Sequence, residues 1–250
     1  MIKNKQEILN KVEFLIKMYK NGELGGEIMP EDANPHLDPT SKENYLYFTL
    51  PMALNYRRNS YKLWESALAT YQDNETNFVF KPAEVITKNF DEVQAALTKY
   101  KLTLFKVRQT DIWIKLSCTI YELFNGDIRN LFEMFNNDVI KIRNFMQKDE
   151  KARFPYLSGT KLCNYWLHVI YMYGEREYLN PEAINVAPDT HVIKATHKLG
   201  LINDHELDNS DIQLIIINKW NELFKGTKYK PIDIHTILWL WSRNGFKEIE

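Results

Sequence analysis

The chain predicts an all-α fold, and three observations carry that expectation. Apolar residues recur at helical spacing nearly throughout, and no alternation of apolar and polar residues lasts long enough to build a sheet. Asp, Asn, Pro and Gly stand at intervals that start and stop helices. With 250 residues, 44% of them hydrophobic, the chain can bury a sizeable core without staples. At the usual helix length, about ten helices would account for it.

Ile8, Val12, Leu15, Ile16 and Tyr19 make the first apolar stripe. The surrounding MIKNKQEILNKVEFLIKMYK carries charge at short intervals, so it reads as an amphipathic helix and not as a signal peptide. A segment rich in turn residues follows, GELGGEIMPEDANPHLDPTSKEN. Two helical pieces are expected in YLYFTLPMALNYRRNSYKLWESALATY, with Pro51 kinking the chain or starting a turn. KPAEVIT and NFDEVQAALTKY have Pro and acidic residues placed as at helix starts. TDIWIKLSCTIYELF, GDIRNLFEMF and NDVIKIRNFMQ are each led by Asp or Asn as an N-cap. The last two helices, NSDIQLIIINKWNELFKG and KPIDIHTILWLWSRNG, are closed by Gly226 and Gly245. The expected division is an N-terminal helix and loop at 1–40, a core at 41–205, and C-terminal helices at 206–250 packed on that core. No tandem repeat, heptad seam or low-complexity tract is visible.

Composition narrows the chemistry. Cys118 and Cys163 are the only cysteines and form no CxxC pair, so a cysteine-rich zinc site and a four-cysteine iron–sulfur cluster are excluded on ligand count. A reducing, intracellular and cytoplasmic setting fits this usage, and no apolar run approaches a membrane span. A formal charge of −1 gives no whole-molecule field for nucleic acid, so such a contact has to come from a local patch. No P-loop, GxGxxG or GxSxG is present, and no cofactor is expected. A monomer is expected.

Two helix starts hold the chemistry. In LSGTKLCNYWL, Ser158 or Thr160 can cap the helix that begins near Lys161, leaving N–H groups of the 157–161 turn open to a phosphate. The same positive helix end disfavours an ammonium, so partial burial would enrich the neutral, nucleophilic amine of Lys161. Helical spacing puts Asn164 and His168 on the face of Lys161, while Leu162, Tyr165, Trp166, Val169 and Tyr173 can face the core. In VAPDTHVIKATHKLG, Asp189 stands at an N-cap, where backbone N–H groups keep a carboxylate ionised. Such a carboxylate can stabilise a sugar cation or activate water. Taken singly, each residue also has a plain reading, Lys161 as a solvated surface lysine and Asp189 as an ordinary cap.

Together these segments resemble the helix–hairpin–helix (HhH-GPD) DNA glycosylase superfamily, the group of endonuclease III and 8-oxoguanine DNA glycosylase. The Gly-Thr-Lys step and the Pro-Asp-Thr-His-Val step carry the resemblance, which spans roughly residues 45 to 205. YFTLPMALNYRRNSYKLWESAL resembles the early helix pair of the family, and the segments from KPAEVIT to NLF resemble the stretch leading to the hairpin. The chain has one hairpin glycine, Gly159, where the family has two, with Tyr156 and Ser158 near the other position. Asn55, Arg57 and Arg58 stand where the family often has a glutamine. The resemblance implies two helical subdomains with a substrate cleft, DNA containing a damaged base as the partner, and excision of that base. It implies that Lys161 is the nucleophile forming a Schiff base, with AP lyase cleavage following, and that Asp189 stabilises the oxocarbenium-like state. Ser158, Gly159, Thr160, Asn55, Arg57, Arg58, His168 and Trp166 would bind substrate or DNA.

Lys151 and Arg153 are further phosphate candidates, and Trp239 and Trp241 can either stack on a base or fill the core. His191 and His197 lack a carboxylate at metal-ligand spacing, so packing or surface roles are preferred and no metal is expected. His235 beside Asp233 can be an acid–base pair, or Asp233 a cap. Two rivals remain. MALNYRRNSYKLW and PIDIHTILWLW also resemble the queuosine-nucleotide glycosidases of salvage, which hydrolyse a modified nucleotide without a lysine nucleophile. The other is a non-catalytic helical module binding nucleic acid or protein.

Overall fold

The computed structural model describes residues 4–24 and 29–249, and those residues are 65% helical with no strand among them. Residues 25–28 of the Gly/Pro-rich segment lie outside the described residues. In chain order the α-helices are α1 (Lys5–Lys20), α2 (Lys42–Thr49), α3 (Ser60–Gln72), α4 (Pro82–Val85), α5 (Phe90–Lys99), α6 (Lys106–Phe124) and α7 (Arg129–Met134). They continue with α8 (Val139–Asn144), α9 (Thr160–Tyr173), α10 (Thr190–Lys198), α11 (Asp204–Leu207), α12 (Ile212–Phe224) and α13 (His235–Arg243). The count exceeds the expected ten because several helices are only one or two turns long.

Side-chain caps start six of the thirteen described helices. Asn89 accepts from Glu92 N at 2.9 Å while the Glu92 carboxylate accepts from Asn89 N at 3.0 Å, a reciprocal box that starts α5. Replacing Asn89 by Ala is expected to cost about 1 kcal/mol, read as a lower urea midpoint. Asp138 starts α8 by accepting from Ile140 N and Lys141 N. α6 differs from expectation: it begins at Lys106, and Gln109 Oε1 accepts from Leu104 N and Phe105 N at 2.6 and 3.0 Å. Asp111 therefore lies inside the helix. Pro51 opens a 3-10 turn at Pro51–Leu54, directly after α2.

The chain divides into two compact units, a central one at residues 28–180 and an interrupted one built from 1–27 and 181–250. The sequence reading sets its divisions at 40 and 205, because turn composition marks loops and not the partners that helices choose.

The central unit has an aromatic core. Tyr47 stacks on Phe80 at 5.5 Å and Phe80 meets Trp113 edge-on at 5.5 Å. Each buried indole N–H there has an acceptor: Trp113 gives to Val79 O at 2.8 Å, Trp64 to Glu31 Oε1 at 2.9 Å, and Trp166 to Thr49 Oγ1 at 3.0 Å. Asn44 Nδ2 and Tyr45 OH bond the carbonyls of Tyr173 and Gly174, fixing the C-terminal end of α9.

In the interrupted unit α10 packs along α13, and α1 also contacts α13. Ile8, Val12, Leu15 and Met18 are the buried residues of α1, so Met18 completes the stripe and Tyr19 is exposed. Trp220 Nε1 donates to Thr196 Oγ1 at 3.0 Å. Polar ties join the two ends of the chain: Asn244 Nδ2 to Leu24 O at 2.6 Å, Tyr229 OH to Glu13 Oε1 at 2.9 Å, and Lys247 Nζ to Glu23 O. Among the described residues, no helix is long and apolar enough to cross a membrane.

Candidate functional site

α8 and α9 are joined by a tight connection. A π turn at Phe145–Asp149 and a 3-10 turn at Lys151–Arg153 lead into the loop 154–159. There the chain reverses on itself: Leu157 N donates to Pro155 O, Ser158 N to Phe154 O and Gly159 N to Tyr156 O at 2.9 Å. Tyr156 takes a left-handed backbone with φ 59. A Cβ at position 159 would stand 3.1 Å from Tyr156 O, which explains the glycine there.

This loop corrects one expectation about the cradle. Gly159, and neither Ser158 nor Thr160, is the N-cap of α9, with no side-chain cap bond. The N–H groups of Leu157, Ser158 and Gly159 are consumed inside the loop. The open donors are those of Thr160, Lys161 and Leu162, the first turn of α9. Positive potential therefore concentrates at the root of Lys161. Lys161 is half-buried, and among the described residues its amine has no carboxylate and no hydrogen-bond acceptor.

Behind Lys161, α9 turns from polar to packed. Asn164 is buried, donates to Thr160 O at 2.7 Å and accepts from Arg143 at 3.4 Å. His168 is 8% exposed, with its ring 6.2 Å from that of Tyr165. Trp166 is fully buried against Phe132 and cannot stack on a substrate base. Tyr165 does not face an apolar core as its spacing suggests; its hydroxyl donates to Glu31 Oε1 at 3.0 Å. Tyr173 donates likewise to Asp32 Oδ1 at 2.8 Å. Glu31 is a wholly buried carboxyl, and burial pushes its pKa up to about 7.

The early-helix candidates part company. Arg58 gives its guanidinium to the carbonyls of Leu102 and Lys101 at 2.7 and 3.4 Å, and burial lowers its pKa to about 10. It fastens the loop before α6 and presents little to a phosphate. Asn55 Oδ1 accepts from Ser60 Oγ at 2.9 Å. Arg57, by contrast, is exposed, has φ 51 and stands over the Tyr56 ring at 5.3 Å. It lines a pocket of about 260 Å³ together with Tyr56, Phe105, Arg108 and Tyr156. Arg108 stands over the Tyr156 ring at 5.2 Å, and the two tyrosine rings are 5.2 Å apart. Among the described residues neither guanidinium meets a carboxylate. Phe105 is 66% exposed, and Leu104 and Val107 are exposed beside it. Tyr156 places this cationic, aromatic patch on the same loop that leads to Lys161. No family model matches the chain, and no curated protein matches it.

In the interrupted unit Asp189 caps α10 as expected: Oδ1 accepts from His191 N and Val192 N, both at 2.9 Å. Oδ2 has no hydrogen bond among the described residues and Asp189 is half-buried, so one oxygen of an anchored carboxylate stays open. His191 Nδ1 lies 3.3 Å from Ser242 Oγ and its ring packs 5.4 Å from Trp239, over which Arg243 stands at 5.0 Å. Trp241 is buried and donates to Lys247 O.

The remaining candidates have structural partners. Arg153 is paired with Glu122 and Glu150 at 2.6 and 3.1 Å, so it is not a free phosphate ligand. Lys151 is exposed. His197 pairs with Asp204 at 2.8 Å. His235 accepts from Ala187 N while Asp233 accepts from Lys230 N, so the two serve different backbone groups.

Arg108, Tyr56, Phe105 and Glu31 escaped the sequence reading, and Tyr156 entered it only as a hairpin position. The run LFKVRQ held a signal: three apolar residues interleaved with a lysine and an arginine at a helix start.

Proposed function

We propose that the protein is a DNA base-excision glycosylase of the helix–hairpin–helix kind, with Lys161 supplying an AP lyase step. The observation that carries this is the Lys161 amine, half-buried and without a partner at the uncapped first turn of α9. A surface lysine of no consequence would more commonly be fully solvated.

The chemistry follows from the residue types. The C1′–N bond of the damaged nucleoside breaks and its electron pair leaves with the base. The open oxygen of Asp189 offsets the positive charge that grows on the sugar. Lys161, as the neutral amine, bonds C1′; loss of its proton and ring opening give the Schiff base, and β-elimination then expels the 3′ phosphate.

The patch of Arg57, Arg108, Tyr56, Phe105 and Tyr156 supports a nucleic-acid substrate, since unpaired guanidiniums suit phosphates and open rings suit bases. Replacing Arg57 and Arg108 together by Ala is expected to lower the slope of log affinity against log salt by about 1.5, one phosphate contact for each. An unchanged slope would remove the patch from the interface.

Borohydride trapping on duplex and single-stranded oligonucleotides carrying 8-oxoguanine, uracil, oxidised pyrimidines or alkylated bases tests the reaction. A covalent adduct is expected with one lesion class. No adduct and no base release from any oligonucleotide would overturn the proposal, and base release from a free modified nucleotide would favour the nucleotide N-glycosidase instead.

A further inference from the structure

The central unit contains a buried acid that the reaction above does not use. Glu31 lies in the 3-10 turn Pro30–Asp32, is 1% exposed, and receives Trp64 Nε1 from α3 and Tyr165 OH from α9 on the same oxygen. A carboxyl taken wholly out of water is costly unless hydrogen bonds offset the lost hydration. Here the bonds reach α9 at Tyr165, one helical turn beyond Lys161. Residues four apart on a helix are surface neighbours, about 5–6 Å between Cβ atoms.

We propose that Glu31 is a positioning residue for Lys161, holding the Tyr165 ring in one orientation against the face of α9 that carries the amine. The proposal rests on the reading of Lys161 as a nucleophile. Tyr165 is the intermediary: its hydroxyl is tied at 3.0 Å and its ring is partly open, so it stands as a fixed wall one helical turn from the lysine. Gain or loss of the Glu31 proton changes both the strength of that tie and the charge behind the wall. Few other titrating groups face Glu31. Its own turn contributes Asp32, which is engaged by Tyr173 OH and Met29 N. α9 contributes Tyr165, with His168 beside it. α3 presents the Trp64 indole, while its Lys62 and Glu65 pair with each other at the surface. α2 presents Tyr47, whose hydroxyl is bonded to Ala33 O.

The test is the rate at which Lys161 is acylated, read by mass spectrometry on the full chain, from about pH 5 to about pH 9, a range that spans the Glu31 titration. Wild type is expected to show an inflection near the Glu31 value of about 7. Glu31→Gln keeps an acceptor for Trp64 and Tyr165 but cannot titrate, and should lose the inflection. Tyr165→Phe removes the tie and keeps the ring, and should lose it as well. Far-ultraviolet circular dichroism confirms that each variant is folded. An inflection that persists in both variants, or wild-type and Glu31→Gln profiles that superimpose, would overturn the proposal. Because the readout needs no DNA, failure of the glycosylase reading in the trapping experiment is told apart from failure of this one. Where the trapped adduct forms, its rate should lose the same inflection in both variants.

Discussion

Replacing Lys161 by glutamine is expected to abolish the borohydride-trapped adduct altogether, with the fold intact. The adduct requires a covalent bond from an amine nitrogen, and no change of rate can stand in for that atom. Stability should move by no more than about 0.5 kcal/mol, because the side chain is half-exposed and breaks no ion pair or hydrogen bond when lost. Base release can survive, with water taking the place of the amine. Asp189→Asn should show the opposite pattern. Asn caps as well as Asp, so α10 keeps its bonds to His191 N and Val192 N, yet the charge facing the sugar cation is gone. Base release should then fall by about 100-fold or more, the size seen when one transition-state stabiliser is removed. If Lys161→Gln still gives an adduct, another amine is the nucleophile. If Asp189→Asn releases base at the wild-type rate, Asp189 is a cap and nothing else.

The second large effect concerns stability and pH. Burial pushes the Glu31 carboxyl up to about 7 in the folded chain, against an ordinary value of 4.5. Between these values the unfolded chain has lost its proton while the folded chain still holds it, so unfolding releases a proton and stability falls as pH rises. The contribution is fully present below the unfolded value, is lost as pH rises through about 7, and changes no further above it. Its size is roughly 3 kcal/mol, from about 1.4 kcal/mol for each pH unit. Urea denaturation of wild type and Glu31→Gln at pH 5 and pH 8 measures it. Wild type should lose the larger share of stability on going to pH 8. Equal losses would show that Glu31 stays ionised throughout.

What could be read from the sequence was local, and what could not was assembled by the fold. Asp138 and Asp189 were legible as caps because the groups they satisfy lie two or three residues away. The start of α6 was not, since Gln109 performs the capping from inside the helix. Ser158 and Thr160 have the right chemistry for a cap, yet the backbone reversal at Tyr156 hands that place to Gly159. Lys161 keeps its expected position at a helix start, and its lack of a partner is a structural fact that no spacing predicts. Glu31 shows the limit most plainly. In the sequence it is one acid among several in a Pro-rich loop; its meaning comes from Trp64, 33 residues on, and Tyr165, 134 residues on. Arg57 lies in the bend before α3 and Arg108 in the first turn of α6, and only the fold brings them to one pocket.

The interrupted unit imposes an order of events during synthesis. Its first piece, α1, finds its partner α13 only after the whole central unit has left the ribosome, at about 5–20 residues per second. The central unit is continuous in sequence and can condense during that interval, whereas α1 waits with Ile8, Val12, Leu15 and Met18 uncovered. The helix is rich in lysine, a composition that tolerates such a wait better than a uniformly apolar segment would. Assembly is therefore sequential, with a segment made before the central unit among the last to be locked in place.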